Sequence, residues 1–338
     1  MNLANKYRPH KFEDMVEQDI IVQMIKSLCS DSTLDNRNFL FIGSQGIGKT
    51  TIARIMADTL NDGKGEPIEI DAASHGSIDS IRDIVDQAKQ YPVGANYKVF
   101  IIDEVHSLSN SAWQVLLKTL EEGPAKSVFI LCTTDPEKIP ATILSRVQVF
   151  HLSKISLKGI DNRLHYVLDS EIAEGRKITY EDTAVNFVAK LANGGMRDAL
   201  TLMDKCLSYS NDITSENISK ALNLPNYDDY FDLLQAYAKK DYKTINSIVD
   251  TVYNSGVNFV NWFEEFHSFV VNVVKFIFLQ DIHKTLVPEY YEDKISKYST
   301  KHAMICLKLA NLLMKMNYDL KFTQYVQETA LTYLCSIK

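Results

Sequence analysis

The chain is poor in the features that mark zinc-stapled, disulfide-bonded and membrane proteins. Its five cysteines, Cys29, Cys132, Cys206, Cys306 and Cys335, are scattered with no C-x-x-C pair. Neither a zinc knuckle nor a disulfide framework is encoded, and a reducing cytoplasm is the expected setting. Long uninterrupted apolar runs are missing too. The greasiest segment, 257–279, is broken by Asn261, Glu264, Glu265, His267, Asn272 and Lys275, which argues against a membrane span. The opening stretch MNLANKYRPHKFED carries charges where an export signal needs apolar residues, so no export is expected. Positive charge is in deficit: 36 Lys and Arg against 43 Asp and Glu leave a net charge of −7. That excludes a basic coat for nucleic acid, though not a local basic strip. Without repeats, low-complexity tracts or charge blocks, the whole chain reads as folded. With 46% hydrophobic residues among 338, it is long enough for two or three cores.

What is present first is an alternation of strand and helix signals. NFLFIGS (38–44), PIEIDAA (67–73), KVFIIDE (98–104), SVFILCTT (127–134) and VQVFHL (147–152) are short, nearly continuous apolar runs. Such runs suit strands buried on both faces. Between them the spacing is helical, as in Trp113, Leu116, Leu117 and Leu120. This pattern predicts a parallel α/β sheet over 1–155. Beyond that point helical signals take over: Ala184, Phe187, Val188 and Leu191 share a face, and GGMRDAL opens another helix. A small helical domain over 156–222 is expected. LNLPNYDDY (222–230) reads as a boundary, and 223–338 as wholly helical. There Phe259, Trp262, Phe263, Phe266, Phe269, Val270, Val273, Val274 and Ile277 form a helix apolar almost all round. It is expected to be buried in a bundle or against neighbouring chains.

One motif carries chemistry. Gly43-Ser44-Gln45-Gly46-Ile47-Gly48-Lys49-Thr50-Thr51 follows a strand and precedes the helical TIARIMADTL, the context a phosphate loop requires. Glycines let backbone N–H groups close around phosphate oxygens at a helix N-terminus. Lys49 is expected on the β- and γ-phosphates, and Thr50 on Mg²⁺ through its hydroxyl. The second half is VFIIDE, an apolar strand that delivers Asp103 to its carboxyl end, where parallel sheets bind ligands. Asp103 is expected to hold the metal and Glu104 to act as general base or water-orienting group. ATP hydrolysis is the expected activity.

Taken in order, KYRPHKFEDMVEQ, GSQGIGKTTIARIMA, IEIDAASHGSIDSIRDI, YKVFIIDEVHSLSNSAWQVLLKTLEE, TTDPEKIPATILSRV and GGMRDALTLMDK resemble the bacterial clamp-loader ATPases, the gamma/tau subunits of DNA polymerase III holoenzyme, which are AAA+ proteins. The likeness runs from residue 4 to residue 222. Over the last third it rests on helical character and on NYDLKFTQYVQETALTYL. The resemblance implies a P-loop (AAA+) sheet domain, a helical lid and a helical collar. It also implies a pentamer-like assembly of clamp-loader subunits that uses ATP and Mg²⁺ to load a sliding clamp on primer–template DNA. By position it implies that Thr134 is a sensor, that Arg146 is an arginine finger acting in trans, and that Arg197 is a second sensor. Tyr7, Arg8 and Pro9 match the segment near adenine. A guanidinium suits the finger role because it is planar and always charged.

The chain departs from that family in three places. NDGKGEP stands where the family carries a four-cysteine zinc module, so no zinc is expected. Val147 follows Arg146 where the family has cysteine. His75, Gly76 and Ser77 replace basic residues, which leaves the helix starts SHGSIDS and SNSAW to meet DNA phosphates by backbone N–H groups. The trimming fits a small genome's own replication machinery, such as a phage's. Partnerships with polymerase or helicase, which long extensions carry in the family, are not implied. The rival readings are another AAA+ DNA motor, a helicase or branch migrator, and a non-hydrolysing structural subunit of the loader.

Overall fold

The computed structural model describes residues 2–30, 38–123, 126–224 and 226–336. Pro225, the proline of the expected boundary segment, lies outside them. The five apolar runs become five strands: β1 (Asn38–Ile42), β2 (Ile68–Asp71), β3 (Lys98–Asp103), β4 (Ser127–Thr133) and β5 (Gln148–His151). They pair in parallel in the order β2-β3-β4-β1-β5. Ile42 pairs with Thr133 on one side and His151 on the other, so the carboxyl ends of the three strands lie level.

Alternate residues of the central strands feed two different cores, as the pleat requires. Phe39, Phe41, Ile101 and Ile130 pack with Ile52, Ile55 and Met56 of the helix Lys49–Leu60. Leu40, Ile102, Phe129 and Leu131 pack on the opposite face with Ile81, Ile84, Trp113 and Leu116. Those last four come from the helices Ile78–Ala88 and Asn110–Glu122, each started by a serine cap, Ser77 and Ser109. Burial on both faces, expected for all five strands, holds for β1, β3 and β4 and fails at the edges. In β2 residues alternate between half-buried and exposed, and in β5 only Phe150 is buried. An edge strand has a neighbour on one side only, and the covering helices stack over the sheet centre.

The described residues form two compact units. The first runs to Ile178 and adds Val188–Lys205; the second takes Thr179–Phe187 and the chain from Cys206. The expected lid region, 156–222, thus contributes to both. In the second unit, two-residue strands Thr179–Tyr180 and Asp212–Ile213 pair in parallel, a bridge too short to leave a periodic signal. Its core is helical: Tyr230, Trp262, Phe263, Phe266, Phe269, Leu309 and Leu313 belong to one cluster. The helix Phe259–Leu279 buries every apolar position singled out in the sequence except Val274, which is half-buried. Most of that apolar surface is therefore used within the chain's own bundle, while Phe278 and Leu279 at the helix end stay exposed. No helix among the described residues is long and apolar enough to cross a membrane.

Candidate nucleotide site

The loop after β1 is shaped by glycine. Gly46 and Gly48 have φ of +75° and +107°, a left-handed backbone that a side chain would strain. A Cβ on Gly48 would sit 3.1 Å from Met15 Cε, and one on Gly46 would sit 3.0 Å from Asp198 Oδ2. Gly48 is the N-terminal flank of the helix Lys49–Leu60, so the helix start and its unsatisfied N–H groups face the loop. Lys49 is buried, and its Nζ donates to the carbonyl oxygens of Gly43 (2.9 Å) and Ser44 (3.0 Å). Burial pushes its ammonium pKa down, while Glu104, Cys132 and Asp103 push the other way. Ile47 anchors the loop in the core. The backbone N–H of Arg197 donates to Gly46 O at 3.1 Å, tying the start of the helix Met196–Tyr209 to the phosphate loop.

Two chemical groups meet at the loop's far side. Thr50 Oγ1 donates to Asp103 Oδ2 at 2.6 Å. This hydroxyl–carboxylate pair is a hard-oxygen donor set that fits Mg²⁺, which is typically held by one or two carboxylates together with phosphate oxygens and water. No cluster of three or more His, Cys, Asp or Glu that could form a metal cage occurs among the described residues. Glu104, directly after β3, is left-handed (φ 46°, ψ 43°), an uncommon conformation for a non-glycine residue. Its N–H donates to Asp103 Oδ1 at 3.0 Å, and its Oε2 accepts from Thr134 Oγ1 at 2.9 Å.

A cavity of about 640 Å³ opens over these groups and is lined by Lys49, Thr50, Asp103, Glu104, Arg8 and Arg197, among others. That volume lies within the range of small-molecule sites. Tyr7, Pro9, Gln45 and Thr51 line it too. Arg8 Nε donates to Thr51 Oγ1 at 3.2 Å, and burial, then Arg54, lowers its pKa. Tyr7 donates its hydroxyl to Glu171 Oε1 at 2.9 Å. Thr134 and Arg146 are not among the lining residues. Thr134 reaches the cavity through Glu104. Arg146 donates to Thr142 O (2.7 Å) and Ser145 Oγ (2.9 Å) and pairs with Glu121 at 2.5 Å.

Three participants were not foreseen. His106 lies against Glu104, Arg163 donates to Tyr7 O at 3.2 Å, and Glu171 collects Lys6, Tyr7 and Arg176. Only His106 had a local signal, its place two residues after the carboxylate pair. The other two act across more than 150 residues of sequence.

The family described as DNA polymerase III, delta subunit, matches residues 67–156. That described as DNA polymerase III clamp loader subunit, ATPase lid domain, matches residues 159–212. DNA polymerase III subunit tau of Bacillus subtilis is 40% identical over 62% of this chain, and the chain spans 40% of that relative's length. DNA polymerase III subunit gamma of Buchnera aphidicola (subspecies Schizaphis graminum) is 32% identical over 95% of the chain and 93% of its own. Among solved structures, the Thermotoga maritima RuvB Holliday junction branch migration motor superposes with a TM-score of 0.53 at 18% identity, over 68% of this chain and 78% of that one. This last likeness speaks for the AAA+ fold alone. On the near full-length match to a gamma subunit, the chain belongs to the DNA polymerase III gamma/tau family of clamp-loader subunits.

Proposed function

We propose that this chain is an ATP-hydrolysing subunit of a DNA sliding-clamp loader. What supports the reading most is one juxtaposition, in a chain of this family: the Thr50–Asp103 pair and the Glu104 carboxylate stand on the same cavity as a glycine-shaped phosphate loop. ATP is the substrate. The backbone N–H groups at the start of the helix Lys49–Leu60 would cradle its phosphates, with Lys49 exchanging its two carbonyl partners for phosphate oxygens. Mg²⁺, held by Thr50 and Asp103, would neutralise charge on the phosphates. Glu104, held by Thr134, takes a proton from the attacking water and orients it in line. Arg8 and Arg197 supply positive charge on the cavity wall, and Tyr7 and Pro9 shape the end nearer the base.

Arg146 lies off this cavity. We assign it to the nucleotide of a neighbouring subunit, where it would replace Glu121 by phosphate oxygens. Hydrolysis would then require assembly. A pentamer-like ring of loader subunits, the sliding clamp and primer–template DNA are the partners of this reading, with sheet domain, lid and collar as 1–155, 156–222 and 223–338. ATP and DNA each favour the assembled state, and hydrolysis ends the grip.

The test is steady-state ATP turnover by the full chain, alone and with candidate partner subunits, clamp and primed DNA. Stimulation that requires both clamp and primed DNA is expected. Stimulation by any DNA without a clamp would make it a motor, and no turnover in any combination would make it a structural subunit.

A further inference from the structure

We infer that Glu17 is a positioning residue: its carboxylate straps Ser156 and so fixes the helix Leu157–Ala173 at the nucleotide cavity. This rests on the reading of that cavity as the ATP site. The strap crosses 139 residues of sequence. The Ser156 backbone N–H donates to Glu17 Oε2 at 2.6 Å, and the Ser156 hydroxyl donates to Glu17 Oε1 at 2.5 Å. That hydroxyl has one proton, which goes to the carboxylate, and its lone pairs are left to accept the Gly159 N–H at 3.0 Å. Ser156 thus caps the helix and binds Glu17 at once. Gln18, the next residue, is buried and pairs with the Ser153 backbone in both directions: Nε2 donates to Ser153 O at 2.8 Å, and the Ser153 N–H donates to Oε1 at 3.3 Å. Two adjacent residues therefore hold two points of the link 152–156 between β5 and the helix.

Two features of the chain fit this role. Glu17 has φ of 56°, a left-handed backbone that costs a non-glycine residue and persists where its surroundings hold it. Gly159 lies in the first turn of the helix, where glycine has low propensity, yet a Cβ there would stand 2.6 Å from Glu17 Oε1. Glycine at 159 makes room for the carboxylate. What the strap joins is cavity wall. Val16, just before Glu17, and Ile155, just before Ser156, both line the cavity. From the helix, Arg163 lines it and donates to Tyr7 O at 3.2 Å, while Glu171 accepts from Tyr7 Oη. Glu17 itself is not among the lining residues, so it acts on the nucleotide only through these neighbours.

Two substitutions open the strap from opposite ends. Glu17→Gly removes the carboxylate and relieves the left-handed backbone, and Gly159→Ala displaces the carboxylate from Ser156 with a methyl group. On the full chain, the Kd for a fluorescent ATP analogue should rise roughly tenfold in each, as the fraction of chains with the helix in place falls. The double variant should bind no more weakly than Glu17→Gly, because the methyl then has no carboxylate to displace. Melting temperatures should stay within about 3 °C of wild type. At saturating ATP, with partners if turnover requires them, kcat should be unchanged. Wild-type affinity in Glu17→Gly, additive losses in the double variant, a melting temperature that falls with affinity, or a lowered kcat at saturation would each overturn the inference. If the wild-type chain does not bind the analogue, the nucleotide reading falls instead. Amide exchange at Ile155, bonded to Gly194 O, and at Gly159 then decides the strap by itself: faster exchange in Glu17→Gly upholds it, and unchanged exchange overturns it.

Discussion

Replacing Glu171 by leucine is expected to release the N-terminal segment that carries Tyr7, Arg8 and Pro9 to the nucleotide cavity. Glu171 is buried, with a side chain 9% exposed, and accepts from Lys6 Nζ at 2.6 Å, Tyr7 Oη at 2.9 Å and Arg176 Nη1 at 3.3 Å. These contacts do not count equally. The Tyr7 bond to a buried charge is worth ~1.5 kcal/mol. Lys6 stays hydrated and keeps Glu174 as a second partner, so losing its contact with Glu171 changes little. Arg176, more exposed still, adds ~0. The Tyr7 bond, at ~1.5 kcal/mol, thus corresponds to roughly tenfold easier local opening. Hydrogen–deuterium exchange reads this directly. The amides of Lys6 and Tyr7, bonded to Asn2 O and Leu3 O, should exchange roughly tenfold faster in Glu171→Leu, with weaker nucleotide binding as Arg8 leaves Thr51. Unchanged exchange would mean that buried Leu3 anchors the segment alone, and would refute the reasoning.

The same carboxylate sets a pH window. Burial alone would raise its pKa, but the hydrogen bonds from Lys6, Tyr7 and Arg176 outweigh it and hold the group below the usual carboxylate range. A folded-state pKa below the unfolded value gives stability that is complete above about pH 4.3 and lost as pH falls through the folded value. The exchange gap between wild type and Glu171→Gln should be full at about pH 6 and close only as pH falls below the usual carboxylate range.

Two further perturbations follow from the site. Lys49→Met should abolish ATP binding in an equilibrium titration while leaving the melting temperature no lower than wild type, because a buried ammonium whose pKa is lowered by desolvation costs the fold stability. Arg146→Ala should lower turnover of the assembled protein by about 10³-fold or more, yet leave the nucleotide affinity of the chain on its own unchanged, since Arg146 does not line the cavity. Reduced affinity in the isolated chain would place the guanidinium in its own site.

The central sheet was legible because β1, β3 and β4 are apolar on both faces, and the phosphate loop because only a glycine-rich strand-to-helix turn suits that motif. The edge strands misled, since Ile68, Ile70, Val149 and Phe150 read as apolar runs whatever covers them. The sequence located Asp103 and Glu104 but not how Glu104 is held. Thr134, given by the resemblance as a sensor, donates its hydroxyl to Glu104 in the fold, a contact no spacing announced. Glu171 carries no motif; its role exists only once a helix 165 residues away in sequence from Lys6 packs beside it. Pairwise contacts at such range leave no trace in periodicity or local spacing.

The most direct test of the central claim is a single-turnover measurement with ATP and Mg²⁺ on the assembled protein, comparing wild type with Glu104→Gln. ATP should bind both alike, and the rate of phosphate release should fall by about 10²- to 10⁴-fold in the variant. Equal rates would contradict it, and would remove Glu104 from the chemistry of this site.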